Sequence, residues 1–195
     1  MRKSHMSGTP VVKYISIEEY LQSEEAADGK HEYYQGEIFA MAGGTIPHNR
    51  IVRNTLTALD NFLKGKNCEV FPSDLKIHIE PNTLFTYPDI NIVCGEPEKW
   101  NNRNDVITNP IVLIEVLSKK TQVYDRGQKF KLYRDIPSLK EYILISSLDV
   151  FIERYTKQST GFWNFRETKN SDDAFIIEAI DFTCPVKDLY RNVSF

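Results

Sequence analysis

The sequence predicts an α/β fold, a mixed central β-sheet flanked by helices, and three observations lead there. Between Pro47 and Gly65, the residues Ile51, Val52, Thr55, Leu56, Leu59, Phe62 and Leu63 recur at three- and four-residue intervals, the mark of an amphipathic helix. Ile111 to Leu117 is a continuous apolar run broken only by Glu115, as expected of a strand covered on both faces in the middle of a sheet. Directly after it, Val123, Phe130 and Tyr133 fall at helical spacing within residues 122–135, which makes a strand-then-helix unit.

Taken in order, Ser16-Ile17-Glu18-Glu19 has the form of a capping box and opens a helix over about 16–27, ended by Asp28-Gly29. Residues 31–42 read as two strands turning near Gln35-Gly36, before Gly43-Gly44 breaks the pattern. Pro47 suits the first turn of the long helix. Residues 68–80 and 85–94 alternate and are rich in β-branched side chains, so each reads as one strand, with Pro81-Asn82 turning between them. A polar, Asn-rich loop covers 95–109. After the strand-helix unit, residues 142–146 and 150–156 form a hairpin, 162–167 and 174–179 add strands, and 185–190 form a short closing helix.

At 195 residues, 41% hydrophobic and 12% aromatic, the chain is long and apolar enough for one domain with a sizeable core, taken as residues 14–195. Residues 1–13 are polar and read as a disordered or cloning-derived stretch on which no argument rests. The formal net charge is −3 and the pI about 5.8, so bulk charge gives no reason to bind nucleic acid, and such binding would rely on local Lys and Arg clusters. Cys68, Cys94 and Cys184 are odd in number and lack metal-type spacing, so they are expected as reduced packing residues. No apolar run resembles a signal peptide or approaches the ~20 residues that cross a bilayer, and a cytoplasmic protein is expected.

The chemistry-bearing feature is a set of acids on separate strands: Glu37, Asp89 and Glu115. A carboxylate inside a run of Ile, Val and Leu is costly to desolvate, and a divalent cation is the simplest compensation. Mg²⁺ or Mn²⁺ needs few carboxylates plus waters and substrate oxygens, so Asp89, Glu115 and the carbonyl of Val116, with Glu37 as a third acid, would form an open site. Phosphodiester hydrolysis needs a nucleophilic water, charge neutralisation on the oxyanion and help for the leaving oxygen; one or two such ions provide all three, and a nearby lysine would orient the water and neutralise the phosphate.

Tyr87-Pro88-Asp89, then Glu115-Val116-Leu117-Ser118, then Asp125-x-x-x-Lys129-x-x-x-Tyr133 resembles the PD-(D/E)xK nuclease superfamily, and more narrowly its Uma-two branch of restriction-endonuclease-like proteins. The likeness runs from about residue 14 to the C-terminus and includes Tyr33-x-x-Gly36-Glu37, His48 at the head of the long helix and Ser73-Asp74-Leu75. It implies a restriction-endonuclease-like core, a Mg²⁺-dependent endonuclease acting on DNA, Asp89 and Glu115 as metal ligands and Glu37 as supplementary acid. Where the superfamily has its lysine two residues after the Glu, this chain has Leu117, and Lys129 on the following helix is the replacement.

Bland readings stand beside these. Glu115 could pair with Lys119, Lys120 or Arg126; Asp89 could be a strand-entry residue, Glu37 a solvated hairpin residue, and Lys129 a helix-surface partner of Asp125. His48 suits a helix start as well as a substrate contact, His78 a surface or cross-strand position, and Asp74 a turn. Lys119, Lys120, Arg126 and Lys129, with Arg103, Lys131 and Arg134, form the densest basic region, and Tyr133 could add a stacking or phosphate contact. His48, Lys119, Lys120, Arg126 and Tyr133 are accordingly the expected nucleic-acid contacts. Two rival functions remain: a catalytically weak or inactive module that binds nucleic acid or protein on the same core, and a metal hydrolase for smaller phosphoesters. The aromatic C-terminal half, with Phe151, Tyr155, Phe162, Trp163 and Phe165, suggests a homodimer.

Overall fold

The computed structural model describes residues 14–195; the expectation for 1–13 lies outside them. Helix α1 (Ile17–Glu25) starts on the expected capping box, with the Ser16 side chain accepting from the Glu19 N–H and Glu19 reaching back to the Ser16 N–H. Strands β1 (His31–Tyr34) and β2 (Glu37–Ala40) form a hairpin. Its two turn residues, Gln35 and Gly36, both have positive φ (49° and 90°), as a type I′ turn requires. Helix α2 (Ile46–Leu63) is capped by Thr45, whose hydroxyl accepts from the His48 N–H.

The two long strands expected at 68–80 and 85–94 are each broken in two. Strands β3 (Cys68–Pro72) and β6 (Ile90–Cys94) pair with each other in one sheet, while β4 (Lys76–Ile79) and β5 (Leu84–Thr86) pair in another. The breaks fall at Ser73–Leu75 and at Tyr87–Asp89. Pro72 and Pro88 cannot donate to a ladder, so the paired chain leaves one sheet there and enters the other. Asp89 therefore sits at the seam between the sheets.

The smaller sheet has the order β2-β1-β5-β4-β7, where β7 (Val106–Ile107) comes from the segment expected to be a plain loop. The larger, mixed sheet runs β11-β10-β9-β8-β6-β3, with β8 (Val112–Leu117), β9 (Glu141–Ser146), β10 (Ile152–Lys157) and β11 (Trp163–Thr168). Its one parallel pair, β8 with β9, is joined through the helical segment α3 (Gln122–Tyr124) and α4 (Phe130–Tyr133), the crossover that parallel strands need. A small hairpin of β12 (Ala174–Ile177) and β13 (Phe182–Pro185), the latter not anticipated, and helix α5 (Val186–Leu189) close the chain.

The alternation along β8 builds two cores. Val112, Ile114 and Val116 pack with Ile90, Ile92 and α2 residues Ile51, Leu59 and Leu63 on one face. Leu113 and Leu117 pack with Val93, Leu132, Tyr133 and Tyr142 on the other. Glu115 shares the parity of Leu113 and Leu117, so it projects toward the α3–α4 side.

The cysteines depart from expectation. The β3–β6 register sets Cys68 directly opposite Cys94, and the two form a disulfide, leaving Cys184 as the free thiol. Expected as exposed or cross-strand, His78 is buried and stacked on its cross-strand partner Phe85, with ring centroids 4.0 Å apart. Among the described residues, no helix is long and apolar enough to cross a membrane.

Candidate active site

Asp89 and Glu115 meet because the β6–β8 ladder continues into them. Ile90 pairs with Ile114, and one step beyond that pair the Asp89 N–H donates to Glu115 Oε2 at 3.3 Å, while the Val116 N–H donates to Asp89 Oδ2 at 2.7 Å. His48, on the first turn of α2, donates or accepts through Nε2 at the same Asp89 Oδ2, 3.1 Å away. The imidazole needs Gly44 behind it, since a Cβ there would fall 2.6 Å from His48 Nδ1.

The third acid is not the expected one. Glu37 lies beside the hairpin turn, paired with Tyr34, and is exposed to solvent away from the cluster. Glu32, two residues farther from the turn on β1, takes the central position and is 8% exposed. It accepts from the Thr86 hydroxyl and from Tyr124 Oη at 3.3 Å. An acid in the middle of the short strand His31-Glu32-Tyr33-Tyr34, flanked by aromatics, was the signal available in the sequence; a glutamate next to a turn glycine has an open route to water.

Lys129 ties these acids together. Its Nζ lies 2.8 Å from Glu115 Oε1, 3.1 Å from Glu32 Oε1 and 3.8 Å from Asp125 Oδ1, with the lysine itself only 4% exposed. The reading of Lys129 as a solvated partner of Asp125 is thus replaced by a buried cation among three carboxylates. Both residues belong to a π-helical stretch, Asp125–Lys129, between α3 and α4. Such stretches are uncommon and concentrate at functional sites. The widened turn is supported by Tyr142, whose hydroxyl donates to the Asp125 carbonyl at 3.1 Å.

Two expected nucleic-acid contacts are placed otherwise. Tyr133 is fully buried, and its hydroxyl donates to Glu115 Oε1 at 2.7 Å, so it orients the acid and has no face for a ligand. Arg126 is committed to Glu153 at 2.6 Å and Gln122 at 2.7 Å, outside the cavity. Lys119 and Lys120 are exposed on the cavity rim, and His48 lines its interior. Asp74 is a turn residue paired with Lys30 at the surface.

The electrostatics follow from burial. Desolvation pushes the Glu115 carboxyl up to about 8, with Asp89 and Asp125 adding to the rise and Lys129 opposing it. Burial likewise raises Asp125. Burial would pull Lys129 down, but Glu115 and its other neighbours outweigh it and hold the ammonium well above its ordinary value. Glu32 is lowered: burial raises it, and Lys129 with three hydrogen bonds more than compensates. His48 is raised because its hydrogen bond to Asp89 and that group's charge exceed the cost of burial.

Glu32, Asp89, Glu115, Asp125, Val116, His48 and Lys129 all line one cavity of about 660 Å³. In its interior four carboxyl groups crowd round one buried lysine and one histidine, with Lys119 and Lys120 at the rim, and the raised Glu115 carboxyl marks a crowding of acids that a bound cation would relieve. Among the described residues, no group of three or more His, Cys, Asp or Glu side chains is set as a ready cage for an ion. The donor set nevertheless fits Mg²⁺ or Mn²⁺, which take one or two carboxylates and fill the remaining positions with waters and substrate oxygens.

The Uma2 family model, described as "Putative restriction endonuclease", matches residues 17–187. The chain belongs to the Uma2 family. Two relatives in Synechocystis share its sequence closely: "Uncharacterized protein slr1290", 38% identical over 192 residues, covering 98% of this chain and 99% of the relative, and "Uncharacterized protein sll1609", 37% identical over 155 residues, covering 80% and 88%. In three dimensions the chain is similar to a crystal structure described as "a putative nuclease belonging to DUF820" from Anabaena variabilis. That match has a TM-score of 0.73 at 18% identity and covers 90% of this chain and 97% of the other. It establishes the restriction-endonuclease-like fold; in this Uma2 chain Glu115 lies on its central sheet and Asp89 at the seam just before β6.

Proposed function

We propose that this Uma2 protein is a divalent-metal-dependent endonuclease that hydrolyses phosphodiester bonds of DNA. One observation carries the reading: Asp89 and Glu115 converge at the seam of two sheets, held by the Asp89 N–H donating to Glu115 and the Val116 N–H donating to Asp89, with a buried lysine at 2.8 Å from Glu115. Asp89 Oδ2 is taken by the Val116 N–H and His48, which leaves Oδ1 for an ion; Glu115 Oε1 is taken by Lys129 and Tyr133, while Oε2 accepts only the long 3.3 Å bond from the Asp89 N–H and keeps a lone pair for the ion. The Val116 carbonyl is the further ligand in this proposal.

A Mg²⁺ or Mn²⁺ ion bound there supplies Lewis acidity to the phosphate and lowers the pKa of an attacking water. Lys129 stays protonated, so it acts as a fixed positive charge beside the scissile phosphate and takes no proton from water. Glu32 holds that ammonium from the opposite sheet, and Tyr133 fixes the Glu115 carboxylate. Lys119 and Lys120 meet the substrate backbone at the rim.

The test is cleavage of supercoiled plasmid and of single-stranded circular DNA with Mg²⁺ or Mn²⁺, comparing wild type with Asp89→Ala and Glu115→Ala. Each variant is expected to lose at least about a hundredfold in rate. Equal cleavage by wild type and both variants would remove the metal-nuclease reading.

One observation favours a second reading, a hydrolase for smaller phosphoesters: the acids line a cavity of about 660 Å³, within the size range of small-molecule sites. Faster turnover of bis(p-nitrophenyl) phosphate than of any DNA would select it. A homodimer belongs to the same proposal, formed at the β11 edge, where Phe162 and Phe165 are 76% and 45% exposed; light scattering at several concentrations tests it.

A further inference from the structure

We infer that the cavity receives an unpaired nucleotide of a DNA strand, its base stacked on Phe39, and does not accept the paired interior of a duplex. The inference rests on the nuclease reading above and names the form of its substrate.

Phe39 is the cross-strand partner of Glu32 in the β1–β2 hairpin. Side chains of directly opposed residues lie on the same face of a sheet. The Phe39 ring therefore stands on the face that carries Glu32 toward Lys129, and it lines the same cavity. It is 45% exposed, on the edge strand of the smaller sheet. A large apolar ring left half in water beside a cluster of carboxylates is covered when a flat aromatic ligand stacks on it.

Phosphate contacts are correspondingly few. Among the described residues, the cations lining the cavity are His48, Lys119, Lys120 and Lys129. Lys129 is buried and committed to carboxylates, and His48 is bonded to Asp89. Lys119 and Lys120 remain exposed, adjacent in the turn that follows β8 of the large sheet, whereas Phe39 belongs to the small one. A duplex presents two rows of phosphates, and proteins that bind it neutralise several in each approach. Two neighbouring lysines suit one backbone. With a net charge of −3, the chain has no broad field to supply the rest.

A groove lined by both cations and an aromatic platform is the arrangement by which proteins hold single strands without reading sequence. The size agrees: about 660 Å³ falls within the range of sites for a small ligand such as a single nucleotide, while a base inside a duplex would first have to be extruded.

The experiment uses one fluorescein-labelled oligonucleotide, single-stranded or annealed to its complement. Binding is followed by anisotropy with Ca²⁺ and cleavage by gel with Mn²⁺, for wild type, Phe39→Ala and Phe39→Trp. The wild type is expected to bind and cut the single strand at least about tenfold better than the duplex. Phe39→Ala is expected to weaken single-strand binding about tenfold, seen chiefly in KM, with Phe39→Trp restoring it. Thermal denaturation of Phe39→Ala checks that the fold is intact, which the exposure of the side chain favours. Equal handling of duplex and single strand, or unchanged binding by Phe39→Ala, overturns the inference. Wild-type cleavage of neither substrate overturns the nuclease reading instead, and the anisotropy data still decide the stacking.

Discussion

Lys129 Nζ lies 2.8 Å from Glu115 Oε1, although one comes from a π-helical stretch and the other from the central strand of the large sheet. Both side chains are almost completely buried, at 5% and 6% exposure, so the pair is a commitment of the fold as well as a feature of the site. Breaking a buried pair from one side strands a charge, whereas neutralising both sides removes the problem.

Lys129→Met is therefore expected to destabilise the metal-free protein by about 3–5 kcal/mol, because Glu115, Glu32 and Asp125 lose their common cation. The double variant Lys129→Met/Glu115→Gln is expected to recover part of that loss. Urea unfolding of both measures the difference, and a single variant as stable as wild type would show the pair to be dispensable.

Gly44→Ala places a Cβ 2.6 Å from His48 Nδ1 and 3.0 Å from its Cγ, which forces the imidazole away from Asp89. The hydrogen bond to Asp89 helps raise the His48 pKa, so NMR titration is expected to find that pKa lower in Gly44→Ala than in wild type. Cleavage is expected to fall to the level of His48→Ala. An unchanged titration would mean that the helix start absorbs the extra methyl group.

Glu141 gives a pH dependence away from the site. Burial raises its carboxyl to about 7 from an ordinary 4.5; Oε1 accepts from the Ala179 N–H, while Oε2 is buried without a partner. The folded protein thus keeps a proton that the unfolded chain has already released. Stability due to this group is full below about pH 4.5, falls as pH rises toward about 7, and stays low above it. Glu141→Gln is expected to be more stable than wild type by about 1–3 kcal/mol at alkaline pH, with the advantage vanishing in acid. Denaturant midpoints across pH measure it; a constant difference between the two proteins would contradict the assignment.

The Cys68–Cys94 bridge joins β3 to β6, the strand that leads out of Asp89. Thiol titration of the unreduced, denatured protein is expected to find one group, Cys184, and three after reduction. Reduction is expected to cost about 2–4 kcal/mol of stability. Three thiols without reductant would restore the sequence-based view of these residues.

Much of this architecture is legible in the sequence because periodicity reports burial. The pattern over 47–65 marks α2, and the run Ile111 to Leu117 marks the central strand with its one acid. The strand breaks at Ser73–Leu75 and Tyr87–Asp89 are not legible, since alternation continues through them and only the change of partner strand reveals the second sheet. Glu37 and Glu32 show the same limit at the site. Both acids share one hairpin face, and which one meets Lys129 depends on how that hairpin docks over β8, a long-range packing fact. Lys129 was recoverable through resemblance, but its burial depends on the π-helical stretch, which no residue pattern announces. The cysteines failed for a related reason: their spacing was uninformative, and only the β3–β6 register opposes them.

The central claim is that Asp89 and Glu115 hold one cation between them, and Mn²⁺ soaked into crystals tests it most directly through its anomalous scattering. The expected result is a single peak within coordination distance of Asp89 Oδ1 and Glu115 Oε2, absent from crystals of Glu115→Gln. A cavity without a peak at saturating Mn²⁺, or a peak bound elsewhere and indifferent to Glu115→Gln, would contradict the account.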